Sequence, residues 1–303
     1  MAELERTIWI NGEIVPWAHA TVHVLSQSMQ RGSLVFDFMS CHWLPSGPVV
    51  FGLREHVDRF IGSTRIAGMK LAIDRPALLH AIGETVRANP GAAFVKISAY
   101  YPTPSIDVLP RDSQVTIAIA AYRQEDIVPD YKHVHAPASL YVGKTRKMPP
   151  WVLSPQTKIA ASYLYTQLCK VEAREHGFDD VLLLDEDECV AESSTHSFCW
   201  IQDGALYTAP LDTVLEGVTR RAVIALAQDE GLAVHEVRRP FSELEQWTEA
   251  FLTGTSILVW PVSRVGTRKF DAPGPLTAKL GARLRKLLAA EDPKFSPLWL
   301  QPV

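Results

Sequence analysis

The sequence predicts a two-domain α+β chain, on three observations. With 303 residues, 47% of them hydrophobic, it is long and apolar enough for two cores. Strand-like and helix-like apolar periodicities alternate along it. A polar, Pro-containing stretch, Arg123-Gln124-Glu125-Asp126-Ile127-Val128-Pro129-Asp130, breaks both patterns and reads as an interdomain linker. The expected division is a small N-terminal α/β domain over 1–122, a linker over 123–131 and a larger domain over 132–303.

The elements follow in order. Thr7-Ile8-Trp9-Ile10, Asn11-Gly12 and Glu13-Ile14-Val15 spell a hairpin with a type I′ turn. Residues 54–70 and 75–89 alternate apolar and charged positions at helical spacing. Residues 94–100 and 114–120 read as strands. Beyond the linker the pattern predicts a strand at 131–136, a helix at 158–176 and a strand at 181–185. An acidic turn follows at 185–188, then a strand near 197–202 and a turn at Asp203-Gly204. A helix at 218–229, strands at 232–236, 250–253 and 257–262, and a helix at 276–290 complete the chain.

Composition narrows the function. Thirty basic against thirty-four acidic residues leave a net charge of −4, so there is no basic field for nucleic acid or a membrane surface. No apolar run reaches membrane-spanning length. The charged start Met1-Ala2-Glu3-Leu4-Glu5-Arg6 lacks the apolar core of a signal peptide. Cys41, Cys169, Cys189 and Cys199 are scattered, without the spacing of a zinc site, and read as reduced thiols of a cytoplasmic protein. His133 and His135 share a strand face, where solvation is the simpler reading than metal binding. No metal site is expected.

Lys158 opens the apolar helix that begins Lys158-Ile159-Ala160-Ala161-Ser162-Tyr163. Desolvation there disfavours the ammonium and frees an amine for Schiff-base chemistry. The plainer reading is a lysine whose stem lies along the helix start. Glu192 stands between an apolar pair and the run Ser193-Ser194-Thr195. A carboxylate so placed can hold a protonated ring nitrogen, or simply accept backbone amides. Gly217-Val218-Thr219 opens a helix whose free N–H groups suit a phosphate, although Gly and Thr begin many helices. Thr253-Gly254-Thr255-Ser256 forms a second small, hydroxyl-rich turn, either an anion nest or an ordinary tight turn. Arg59 points inward from its helix, toward a phosphate or toward Glu55 at i−4.

Together and in order, these stretches resemble the class IV pyridoxal-phosphate aminotransferases, which include the branched-chain and D-amino-acid aminotransferases. The resemblance runs from about residue 8 to 270. It rests on Val50-Phe51-Gly52-Leu53 with Arg54 through Phe60, Lys158 with Tyr163, and His176 through Asp185. It continues through Glu192, Asp203 through Thr208, Gly217 through Arg220, and Gly254-Thr255. It implies fold type IV, with a small α/β domain and a larger domain built on a β-barrel-like core with helices. It implies pyridoxal 5'-phosphate as cofactor, held as an aldimine on Lys158, which also moves the proton. Tyr163 would hydrogen-bond the ring hydroxylate and Glu192 the pyridinium. Arg59, Val218, Thr219 and Thr255 would hold the phosphate. It further implies a homodimer acting on an amino donor and a 2-oxo acid acceptor.

The substrate side departs from the branched-chain pattern. Arg31 stands where a tyrosine is usual, Phe38 where a glycine is usual, and Phe94 and Lys96 where a tyrosine and an arginine are usual. Ser197 replaces a usual asparagine. Phe38 fills space that glycine leaves open, and Arg31 supplies a fork for a carboxylate. With Phe36 and Ser256 these are the expected substrate-binding residues. The expected activity is branched-chain-aminotransferase-like transamination, with a D-amino-acid or (R)-selective amine transaminase as the alternative. A lyase of the aminodeoxychorismate type is disfavoured by Phe36-Asp37-Phe38-Met39-Ser40, where a Thr-rich stretch is usual. A non-catalytic relative is disfavoured by the presence of both Lys158 and Glu192.

Overall fold

A computed structural model of the chain describes residues 5–130 and 136–303. The described residues form two compact units. The first holds residues up to 130 with Thr157–Ala161 and Leu288–Val303, and the second holds residues 136–156 with Ser162–Leu287. This differs from a single division at 122 and 132. The segment around Lys158 and the C-terminal segment both pair with strands of the first unit, so their backbone hydrogen bonds assign them there.

In the first unit, β1 (Thr7–Ile10) and β2 (Glu13–Pro16) form the expected hairpin. Asn11 and Gly12 both have positive φ, 47° and 103°, as a type I′ turn requires. Next come α1 (Gln27–Arg31), β3 (Val35–Leu44), β4 (Gly47–Phe51), α2 (Leu53–Ile66) and α3 (Arg75–Ala88). β5 (Phe94–Tyr100) and β6 (Thr116–Tyr122) follow. The C-terminal strand Leu300–Pro302 pairs with β4, and the antiparallel sheet then runs β4-β3-β5-β6-β1-β2. α2 packs on β3. Asp74 caps α3, its Oδ1 accepting the Ala77 N–H at 2.9 Å. The expected linker is partly helical: α4 (Gln124–Ile127) is tied to the first unit by Asp126, which accepts from Arg6 Nε at 2.9 Å and from the Arg123 N–H at 2.8 Å. The strand expected at 131–136, with His133 and His135, falls almost wholly outside the described residues.

The second unit is built on β7 (Ala138–Tyr141), α5 (Ala161–Glu175), β8 (Asp180–Leu184), β9 (Val190–Ser193), β10 (Ser197–Gln202) and β11 (Ala205–Thr208). α6 (Val218–Asp229), β12 (Val234–Glu236), β13 (Glu249–Gly254), β14 (Leu258–Val265), β15 (Arg268–Lys269) and α7 (Pro275–Leu288) complete it. Strands β10-β13-β14-β7-β8-β9 run in order, and β9 pairs back to β10, closing a six-stranded barrel-like sheet. Closure removes free edges, and the interior is filled by side chains. The core holds Leu182, Leu184, Phe198, Leu252 and two stacked indoles, Trp200 and Trp247, 5.0 Å apart. The fold is the two-domain α+β class with a barrel-like core. Among the described residues no helix is long and apolar enough to cross a membrane.

Candidate active site

Lys158 is not in a helix. α5 begins at Ala161, and Ile159 just before it bridges to Val35 at the start of β3. The Phe36 N–H donates to the Lys158 carbonyl at 3.0 Å and the Ala160 N–H to the Leu34 carbonyl at 2.8 Å. With these groups committed to β3, the helix cannot start earlier. The Lys158 N–H donates to Ser63 Oγ of α2 at 3.0 Å. The lysine backbone is therefore held from both sides. Gly32, with φ +69°, lets the chain turn against Ala161, whose atoms lie 3.4 Å from where a β-carbon would be.

Phe36 and Phe38 project from one face of β3, and register places Lys96 opposite Phe38 and Phe94 opposite Ser40. The Phe36 ring lies beneath two amines, 4.8 Å from Lys96 Nζ and 5.0 Å from Lys158 Nζ. Phe38 stacks on Phe94 at 4.9 Å. Burial, then the charge of Lys158, pushes the Lys96 ammonium below the ordinary lysine range. Arg31, at the end of α1, is exposed and donates to the carbonyls of Gln30 and Ile106.

Arg59 finds its anion in Asp37 rather than Glu55. Its Nε donates to Asp37 Oδ2 at 2.8 Å and its Nη2 to Oδ1 at 2.7 Å. His56 Nδ1 lies 2.7 Å from the same Oδ1, and Asp37 and His56 are fully buried. Burial alone would raise the Asp37 carboxyl. Arg59 and His56 outweigh it and hold the group well below the usual carboxylate range. His56 is itself pushed down, chiefly by burial. His56, Arg59 and Ser63 stand at i, i+3 and i+7 of α2, one helical face.

In the second unit, Glu192 sits where the barrel closes, paired with Ser197, which is itself opposite Thr253. Gly217 packs on the same serine: a β-carbon there would lie 2.7 Å from Ser197 Oγ. Gly217 is the N-cap of α6 and carries no capping side chain, while Val218 and Thr219 of the first turn are buried. A β-carbon on Gly254 would lie 2.8 Å from the His196 ring, so the turn holding Thr255 and Ser256 lies against the loop after Glu192. The Glu192 carboxylate accepts from Lys147 Nζ at 2.8 Å. Tyr163 is half-buried in the first turn of α5.

The structure thus groups Phe36, Phe38, Phe94, Lys96 and Lys158 around one stretch of β3. It brings Glu192 and the helix start Gly217-Val218-Thr219 to Ser197, and sets the turn of Thr255 and Ser256 against the loop after Glu192. Arg31 is set apart from the first group, on an exposed helix end. Sequence reasoning missed Asp37, His56, Ser63 and Lys147. The i, i+3, i+7 spacing on α2 was a readable signal for two of them; nothing local marked Asp37 or Lys147.

The sequence model of the family described as amino-transferase class IV matches residues 34–265. A probable branched-chain-amino-acid aminotransferase of Rickettsia bellii is 32% identical over 260 residues, covering 85% of this chain and 86% of that one. The branched-chain-amino-acid aminotransferase of Pseudomonas aeruginosa is 29% identical over 283 residues, 92% of each. Among solved structures, the branched-chain aminotransferase of Thermoproteus uzoniensis with norvaline superposes with a TM-score of 0.90 at 30% identity, covering 98% of this chain and 99% of that one. The branched-chain amino acid aminotransferase of Thermobaculum terrenum, in its PLP-bound holo form, superposes with a TM-score of 0.89 at 26% identity over 99% of each chain. A family match across most of the chain, on a fold shared nearly end to end, makes this protein a class IV aminotransferase, similar throughout to the branched-chain enzymes.

Proposed function

We propose that the protein is a pyridoxal 5'-phosphate-dependent transaminase that moves an amino group between a branched-chain amino acid and a 2-oxo acid. The observation that carries this is the cluster around Ser197. It joins a partly buried carboxylate, Glu192, to a glycine-cradled helix start at Gly217. That donor set fits the cofactor: uncapped N–H groups of α6 suit a phosphate, and the carboxylate suits a pyridinium. When bound, the cofactor supplies an electron sink for negative charge at the amino acid's α-carbon.

The side chains then divide the work. Thr219, Thr255 and the Val218 N–H would hold the phosphate, joined by Arg59 in the orientation that its bonds to Asp37 fix, and Tyr163 would hold the ring oxygen. Glu192 would keep the proton on the ring nitrogen. Lys158 would carry the cofactor and move the α-proton at Nζ. Phe36, Phe38, Phe94 and Ser256 would shape the substrate site, with Lys96 and Arg31 receiving carboxylates. A homodimer fits the apolar stripe Leu164, Leu168 and Val171 on α5, exposed by 63%, 61% and 49%; light scattering at working concentration is expected to give twice the chain mass. A cytoplasmic place fits the four unpaired thiols.

The test is a donor panel followed through the absorbance of the loaded protein. L-leucine and L-valine are expected to react faster than any D-amino acid or (R)-amine. Reaction with D- or (R)-donors alone would remove the branched-chain assignment and leave the transaminase reading standing. The relatives, branched-chain-amino-acid aminotransferases by name, support the branched-chain reading over that alternative.

A further inference from the structure

We infer that Lys147 is a positioning residue for Glu192, fixing the carboxylate's rotation so that it can receive the ring nitrogen of the cofactor. This rests on the pyridoxal-phosphate reading above. Lys147 Nζ lies 2.8 Å from Glu192 Oε1, and each side chain is only 13% exposed. The lysine is anchored at its own backbone: its N–H donates to the Leu184 carbonyl at 2.7 Å, at the end of β8, the neighbour of the strand that carries Glu192. Both partners are thus pinned to adjacent strands of the closed barrel.

The electrostatics agree with the geometry. Burial alone would strip the proton from Lys147; the charge of Glu192, with Tyr165 beside it, outweighs burial and holds the ammonium above the ordinary lysine range. An ammonium bound to Oε1 fixes the carboxylate's rotation and leaves Oε2 for the ring. Lys147 touches neither cofactor nor substrate in this role and acts only through Glu192.

The test is a double-mutant cycle on cofactor binding, read as the dissociation constant of pyridoxal 5'-phosphate by absorbance titration. Lys147→Met is expected to weaken binding by about ten- to a hundredfold, as loss of an outer partner typically does. Lys147→Arg is expected to restore most of it, since a cation returns. In the Glu192→Gln background Lys147→Met is expected to change binding by less than about twofold, because the partner it acts through is gone. Lys147→Gln repeats the cycle with a neutral donor should the Met variant not fold. An unchanged constant in Lys147→Met, or the same loss in both backgrounds, would overturn the inference while leaving the cofactor reading intact. Failure of the wild-type protein to take up the cofactor would overturn both.

Discussion

Gly217 and Ser197 touch so closely that a β-carbon on the glycine would stand 2.7 Å from the serine Oγ. The glycine's φ of −69° is open to any residue, so the requirement is for space and not for backbone freedom. Gly217→Ala is therefore expected to cost about 1–3 kcal/mol by overpacking and to weaken cofactor uptake, because it pushes α6 away from β10, whose Ser197 pairs with Glu192. Adding Ser197→Ala is expected to recover part of both. Arg220 limits the recovery, its β-carbon lying 3.2 Å from the same point. Urea denaturation and absorbance titration of the single and double variants check this. A double variant no better than the single would place the strain elsewhere.

Asp37 answers two groups of α2 at once, so its removal is expected to be expensive. Asp37→Asn leaves Arg59, 11% exposed, without its carboxylate, a loss of about 3 kcal/mol at pH 7. The pH dependence follows from the sign of the shift. The folded carboxyl is held below its unfolded value, so its contribution is fully present above about pH 4 and is lost as pH falls toward the folded value. The gap between wild type and Asp37→Asn is thus expected to be constant from pH 8 to 5 and to narrow below 4. Denaturation curves at pH 7 and pH 3 are sufficient; equal gaps at both would contradict it.

The sequence carried most of the second unit because its signals are local. Asp203-Gly204 takes the hairpin turn, with φ of 50° and 73°, and α6 begins at Val218 just after the glycine. β3 and β4 were not expected. The polar run Ser40-Cys41-His42 breaks β3's alternation, and all but the His42 position are buried, which only the finished sheet explains. The start of α5 was misplaced because Lys158 and Ile159 have helical neighbours in sequence but strand partners in space. Of the candidate site, the residues flanking glycines and small hydroxyl runs were legible. Lys147 was not, because an exposed surface lysine and one paired with Glu192 look alike in sequence, and barrel closure alone decides between them.

Lys158 is expected to be the lysine that carries the cofactor. Reduction of the loaded protein with borohydride, followed by peptide mapping, should mark Lys158 and not Lys144, Lys147 or Lys170. Lys158→Ala should abolish turnover while still binding cofactor through the phosphate groups. Glu192→Gln, which keeps shape and removes charge, should lower the rate by about a hundredfold or more. A mark on another lysine, or near-normal turnover in either variant, would unseat the corresponding role.

Lys96 offers the sharpest pH prediction. Its amine shares the Phe36 ring with Lys158, and burial and that neighbour both favour loss of its proton. If Lys96 receives the carboxylate of a 2-oxo acid, acceptor binding needs the ammonium form. The folded value is depressed, so that form disappears at a lower pH than for an exposed lysine, whose value is about 10.4. The KM for the oxo acid is therefore expected to climb on the alkaline side, beginning below that point. Lys96→Arg, which does not titrate in this range, should flatten the alkaline limb and retain the acceptor. Lys96→Met should raise the acceptor KM at every pH by about tenfold or more, the loss of one charge-assisted hydrogen bond. Steady-state kinetics from pH 7 to 10 on the three proteins decide it: an alkaline limb that survives in Lys96→Arg belongs to another group, and an acceptor KM unchanged in Lys96→Met would take Lys96 out of carboxylate binding.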